Sequence, residues 1–202
     1  MNQKTALEKH IPPEFLKTCL RWWEELDFDL HISRHRKSKN GDYRWHPKLQ
    51  SHDITVNRTL GPWSFLITYT HEVAHCKANI EFGPRIRHHG KEWKAVFRGM
   101  LLELLSTGKI PDSLARPLAS YSKNPRASTY SFQPLVLALR KLEGTEGILL
   151  HEVEPGNSFT FDGTPFKLIS RKRSRALCLN ENNGRKYLIS LMAEVQPSFI
   201  LN

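Results

Sequence analysis

The stretch His71-Glu72-Val73-Ala74-His75 constrains this chain more than any other, because it lies inside an apolar run, Trp63-Ser64-Phe65-Leu66-Ile67-Thr68-Tyr69, that continues through Val73 and Ala74. Such a run reads as a largely buried helix, so the motif is shielded from water rather than carried on a solvated loop. On a helix, residues i and i+4 are about 6 Å apart along the axis and share nearly one face, so two imidazoles at that spacing can converge on a single ion. This is the geometry of a zinc site. Glu72 follows the first histidine and can reach water at the ion without being a ligand, the division of labour that metal-assisted peptide hydrolysis requires. Asn57 or Thr59 is expected to cap the helix, with Pro62 in its first turn.

A catalytic zinc has three protein ligands and one open position, so a third donor is expected. Downstream, Trp93, Val96, Phe97, Met100, Leu101 and Leu104 fall at helical spacing, and Gly90 with Lys91-Glu92 marks the start of that second helix. His89 then stands at the helix mouth, facing back toward the first helix across a turn through Gly83-Pro84. His89 is the expected third ligand, with His88 its neighbouring competitor. Cys76 is adjacent to His75, but it points about 100° away on a helix and a fourth protein ligand would close the site, so it is read as structural. His10, His31, His35, His46, His52 and His151 are read as surface or hydrogen-bonded side chains.

His71-Glu72-Val73-Ala74-His75 followed by His89-Gly90-Lys91-Glu92-Trp93 resembles the two motifs of the SprT-like metalloprotease family, over roughly residues 10–105. The resemblance implies a zinc protease domain with His71, His75 and His89 as ligands and Glu72 as catalytic base. It also implies a substrate that is protein bound to or crosslinked with DNA. Metzincins place a glycine three residues and a third histidine six residues after the second histidine, where this chain has Ala78 and Glu81. That family is excluded.

With 30 Lys and Arg against 20 Asp and Glu, the net charge of +10 favours a polyanionic partner. The cations cluster in two places. Arg34-His35-Arg36-Lys37-Ser38-Lys39 precedes Asn40-Gly41, a hairpin signal, and the return strand carries Tyr43, Arg44, Trp45, His46 and Lys48. Its two aromatic rings suit either base stacking or packing against the metal-bearing helix. Arg171, Lys172, Arg173 and Arg175, with Arg185 and Lys186 beyond the next turn, give a C-terminal strand region a basic edge, read as a nucleic-acid contact. No apolar run spans a bilayer, and the first residues lead into no signal-like apolar core, so no membrane partner and a cytoplasmic location are expected. Cys19, Cys76 and Cys178 are far apart and form no CxxC pair, which fits a reducing compartment and departs from relatives that carry a C-terminal zinc ribbon.

The expected architecture is α+β. Residues 1–105 form a zincin-like helical metalloprotease domain with a small antiparallel sheet over 28–57, preceded by an amphipathic helix over 12–25 that turns Phe15, Leu16, Leu20 and Trp23 inward. Residues 106–144 form a linker or wrapping segment, rich in proline and serine, with a short helix near 135–142. Residues 145–202 form a small basic all-β module of five short strands, barrel-like or curled, with Asp162-Gly163 and Asn183-Gly184 turns. The functional expectation is zinc-dependent peptide hydrolysis of a protein substrate, with DNA as partner. The alternatives are a nucleic-acid-binding protein with a structural zinc and a general cytosolic peptidase.

Overall fold

The computed structural model describes residues 3–34 and 39–198. The centre of the first basic run, His35, Arg36, Lys37 and Ser38, lies outside the described residues. Among those described there are six α-helices and two sheets, divided between two compact units, Met1–Ala127 and Ser128–Asn202. No helix among them is long and apolar enough to cross a membrane.

In the first unit the elements run α1 (Gln3–His10), α2 (Leu16–Leu26), β1 (Phe28–Ser33), β2 (Gly41–His46), β3 (Ser51–Asn57), α3 (Pro62–Phe82), α4 (Lys91–Ser106) and α5 (Asp112–Ser122). The helical turn leading into α2 and the helix itself bury Phe15, Cys19 and Trp22, leaving Leu16, Leu20 and Trp23 half-buried. The inward face is thus rotated by about one residue from the expected one; Cys19 packs as a small apolar side chain and the Trp23 indole N–H turns outward to donate to Phe28 O at 2.8 Å.

The three-stranded sheet has order β1-β3-β2 and is mixed, not antiparallel: β2 runs antiparallel to β3, but β1 runs parallel to it. Alternation of apolar residues reports which face of a strand is buried and carries no information on direction, which is why the parallel pair was invisible in the sequence. Asn57 and Thr59 do not cap α3. Gly61 does, with Pro62 as the first helical residue. Asn57 is used elsewhere: its backbone N–H donates to Asn40 O and its side chain to Lys39 O, both at 2.8 Å, which pins the start of β2 to the end of β3.

Helix α3 is buried on most of its circumference, with Phe65, Leu66, Ile67, Tyr69, Val73, Ala74, Cys76 and Ala78 in the core, as an apolar helix of this composition must be. Tyr69 Oη donates to Cys19 O at 2.9 Å, tying it to α2. Helix α4 is preceded by Gly90 at its N-cap and buries Trp93, Phe97, Met100, Leu101 and Leu104, the expected stripe apart from Val96, which is half-buried. The 106–144 stretch, expected as a linker or wrapping segment with one short helix near 135–142, also contains α5, which buries Leu114, Leu118 and Tyr121 at i, i+4 and i+7. Pro117 in its interior lacks an N–H donor and obscures that periodicity.

The second unit comprises α6 (Gln133–Glu143), β4 (Ile148–Leu149), β5 (Ser158–Phe161), β6 (Thr164–Arg171), β7 (Arg175–Asn180), β8 (Lys186–Ser190) and β9 (Glu194–Pro197). All its strand pairings are antiparallel, in the order β4-β9-β5-β6-β7-β8. Phe159, Phe166, Leu168, Ala176, Cys178, Ile189 and Val195 form its core with Leu149, Leu150 and Val153. Strand β9 was not expected, because Gln196 and Pro197 break any apolar alternation, yet it sits between β4 and β5. The Asp162-Gly163 turn has φ of 51° and 76°, as a two-residue hairpin of this hand requires.

Candidate metal centre

Helix α3 carries His71 and His75 one turn apart, and the residue just before the α4 cap supplies His89. The two elements bring the Nε2 atoms together: His89 Nε2 lies 3.1 Å from His71 Nε2 and 3.1 Å from His75 Nε2. The three ligand-capable atoms all fall within 4.8 Å of one another. Two imidazole nitrogens on one tetrahedral zinc, each at 2.0–2.1 Å, would be about 3.3 Å apart, so the two His89 separations are compatible with a shared metal ion. Hydrogen bonding alone fits this cluster poorly, since each Nε2 carries either one proton or one lone pair and a neutral ring cannot serve two partners from one nitrogen. A divalent cation satisfies all three lone pairs at once. His88, the competing donor, is exposed and outside the cluster.

His89 reaches this position through a left-handed backbone, φ 55°, which costs a non-glycine residue of the order of 1 kcal/mol and is sustained by the helix start that follows. Trp93, fully buried on the first turn of α4, backs the cluster: its ring lies 5.0 Å from that of His75 and 4.6 Å from that of His89. On the other side, Tyr43 of β2 lies parallel to the His75 ring at 6.0 Å and shares a hydrogen bond of 2.9 Å with His52 Nδ1. The sequence leaves Tyr43 and Trp45 open between base stacking and packing; Tyr43 packs on α3 and Trp45 on His52, at 4.4 Å. Gly41, Tyr43 and Trp45 alternate along β2 and so share one face, which is the signal that would have found them. A cavity of about 210 Å³ opens beside His75, lined by Tyr43, Trp45, Pro84, Ile86 and Trp93. Glu72 is buried at 7% exposure, next to His71 and against the start of β2.

Burial, and then the neighbouring His89, push the His71 imidazole down to about 3. Burial followed by His71, His89 and His88 takes His75 to about 2, and His89 is lowered by burial, His88 and Lys94. All three are therefore neutral, the form that ligates, throughout the physiological range. Burial raises the Cys76 thiol to about 12, keeping it protonated and out of the ligand set. The linkage to stability has a definite sign: below the ordinary histidine value of about 6.5 the unfolded chain binds protons that the folded one refuses, so falling pH favours unfolding. The metal-free protein is expected to lose thermal stability steadily from about pH 6.5 down toward pH 3, more gently in His75→Gln. A melting temperature independent of pH over that window would contradict the burial of neutral rings.

The other expected sites are placed as follows. The hairpin expected at Asn40-Gly41 does not form among the described residues, since β3 lies between β1 and β2 and pairs with both; Lys39 and Arg44 of that basic cluster both pair with Asp42, at 2.8 and 3.0 Å, which reduces the charge it offers. In the second unit, Lys172, Arg173 and Arg175 are exposed at the tip joining β6 and β7, where Lys172 N–H closes on Arg175 O at 2.7 Å. Arg171 is committed to its own unit: its guanidinium donates to Val153 O at 2.8 Å and pairs with Glu154 at 3.1 Å. His10 stacks on Phe65 and His46 pairs with Asp53, as background histidines do.

Over one short stretch the chain is similar to Protein SprT. A segment of 33 residues is 58% identical to Protein SprT of Pseudomonas paraeruginosa (strain DSM 24068 / PA7), and equally to Protein SprT of Pseudomonas aeruginosa strains LESB58 and UCBPP-PA14. That segment is 16% of this chain and spans 20% of the length of each of those relatives. No family model matches the chain, and no solved structure matches it.

Proposed function

We propose that the chain is a zinc-dependent peptidase of the SprT-like type, with residues 1–105 as a zincin-like catalytic domain, acting on proteins bound to or crosslinked with DNA. The observation that carries this reading is the gathering of His71, His75 and His89 Nε2 atoms at ligand spacing, with a buried carboxylate, Glu72, one residue from the first. Three imidazoles suit zinc, and a purely structural site has no use for the glutamate. The short likeness to Protein SprT agrees with it.

When bound, zinc supplies Lewis acidity that polarises a carbonyl and lowers the pKa of water toward neutrality. The three histidines hold the ion, and the parallel stack of Tyr43 on His75 and the packing of Trp93 fix the ring orientations. Glu72 takes a proton from the attacking water and passes it to the nitrogen of the departing amine as the peptide bond breaks, ending ionised as it began. The aromatic cavity beside His75 is placed to receive a substrate side chain. Lys172, Arg173 and Arg175, with Arg171 more constrained, are the proposed nucleic-acid contacts, and three buried free thiols suit a cytoplasmic setting.

The test is cleavage of a DNA-binding protein by the full chain, with and without DNA, before and after chelation. Zinc-dependent cleavage stimulated by DNA is expected, and replacing Lys172, Arg173 and Arg175 by alanine should flatten the salt dependence of DNA binding by about one unit of logarithmic slope per lost contact. Cleavage indifferent to DNA would leave a general peptidase. DNA binding without any cleavage by the zinc-loaded protein would leave a binding protein with a structural metal.

A further inference from the structure

Gly41 opens strand β2, and its own backbone does not ask for glycine, since its φ is not among the positive ones. What asks for it is Glu72. A Cβ placed on Gly41 would stand 2.5 Å from Glu72 Oε1, 2.7 Å from its Cγ and 2.9 Å from its Cδ, all well inside contact distance. Because the Cγ is one bond from the Glu72 Cβ, swinging the carboxylate aside would not relieve the clash; the whole buried side chain would have to move.

The strand cannot retreat instead. Gly41 is in register with the fully buried Val56 near the end of β3, and the two residues before it are held by Asn57, which donates its backbone N–H to Asn40 O and its side-chain amide to Lys39 O. Two residues further along the same face, Tyr43 is stacked parallel to His75. With the backbone pinned on one side and a packed helix on the other, the Glu72 side chain occupies the space above Gly41 Cα that a Cβ would fill.

We infer that Gly41 is a positioning residue for Glu72: the bare Cα of β2 sets where the carboxylate lies relative to the histidine cluster. The inference rests on the peptidase reading for its catalytic consequence, whereas the contact itself can be measured without catalysis. A glycine in a strand that had no such duty would be replaced by alanine at no loss, and ordinarily with some gain, because alanine sacrifices less chain entropy on folding.

The experiment is a double-mutant cycle in thermal unfolding over the parent chain, Gly41→Ala, Glu72→Ala and the pair together, with zinc content measured on each and steady-state kinetics on the first two. Gly41→Ala should lower the melting temperature by several degrees when Glu72 is present and leave it unchanged or raised when residue 72 is alanine. In the Glu72 background it should retain one zinc while kcat falls on the order of a hundredfold with KM within about twofold, the pattern of a misplaced catalytic group. Equal thermal losses in both backgrounds, or a Gly41→Ala kcat within about twofold of the parent, would overturn the inference. Should Gly41→Ala fail to fold, folding of the double variant sustains the inference and its failure rejects it. A parent chain that binds zinc but cleaves no peptide tells against the peptidase reading, and the thermal cycle still decides whether Gly41 seats Glu72.

Discussion

Glu72→Gln is expected to keep the fold and the zinc while lowering kcat/KM by on the order of 10²–10⁴, the usual contribution of a positioned general base. Glutamine has nearly the shape of glutamate, so the packing against the start of β2 survives, and what is lost is the capacity to accept a proton. The comparison needs metal analysis and kinetics on the same preparation. Equal zinc content with a collapsed rate assigns the proton transfer to Glu72, and undiminished cleavage would end the proposed mechanism.

Removing the third ligand should have a still broader effect. His89→Gly is the informative substitution, because glycine accepts φ 55° without strain and the change then reports on the imidazole alone. Two histidines on α3 remain, and metal affinity is expected to fall by more than the roughly hundredfold typical of losing even an outer-sphere partner of a ligand. Activity should disappear with it. His88→Ala is the matched control: His88 is exposed and outside the cluster, so zinc should stay. Full occupancy in His89→Gly with loss in His88→Ala would exchange the roles of the two neighbours.

The gathering of three histidines was legible in the sequence because its three parts obey local rules: the i, i+4 spacing on one helix, the glycine-marked start of the next, and a histidine just before it. Helix α4 and the Asp162-Gly163 turn were legible for the same reason. What escaped was whatever depends on partners distant in sequence. The parallel β1–β3 pair, the insertion of β9 between β4 and β5, and the choice of Gly61 over Asn57 as cap are settled by neighbours that no local pattern names. Gly41 is the clearest instance. Beside Asn40 it reads as a turn glycine, but it sits in a strand and answers to a glutamate 31 positions away, as its place at 41 and that of Glu72 show. Helix α5 is the opposite case, a local i, i+4, i+7 stripe that Pro117 hides from the sequence pattern.

The left-handed conformation of His89 bears on how a metal comes and goes. His71 and His75 are held in register by the hydrogen bonds of α3, so their joint presentation costs no further ordering once that helix has formed. His89 lies fourteen positions beyond His75, on a connection that turns through Gly83 before α4 begins. On the proposed reading the site is a two-toothed chelate plus one tethered arm, and the entropy of closing that arm's loop would be part of the free energy of holding an ion. On that reading, stiffening residues 83–88 is expected to tighten metal binding without altering His71, His75 or His89.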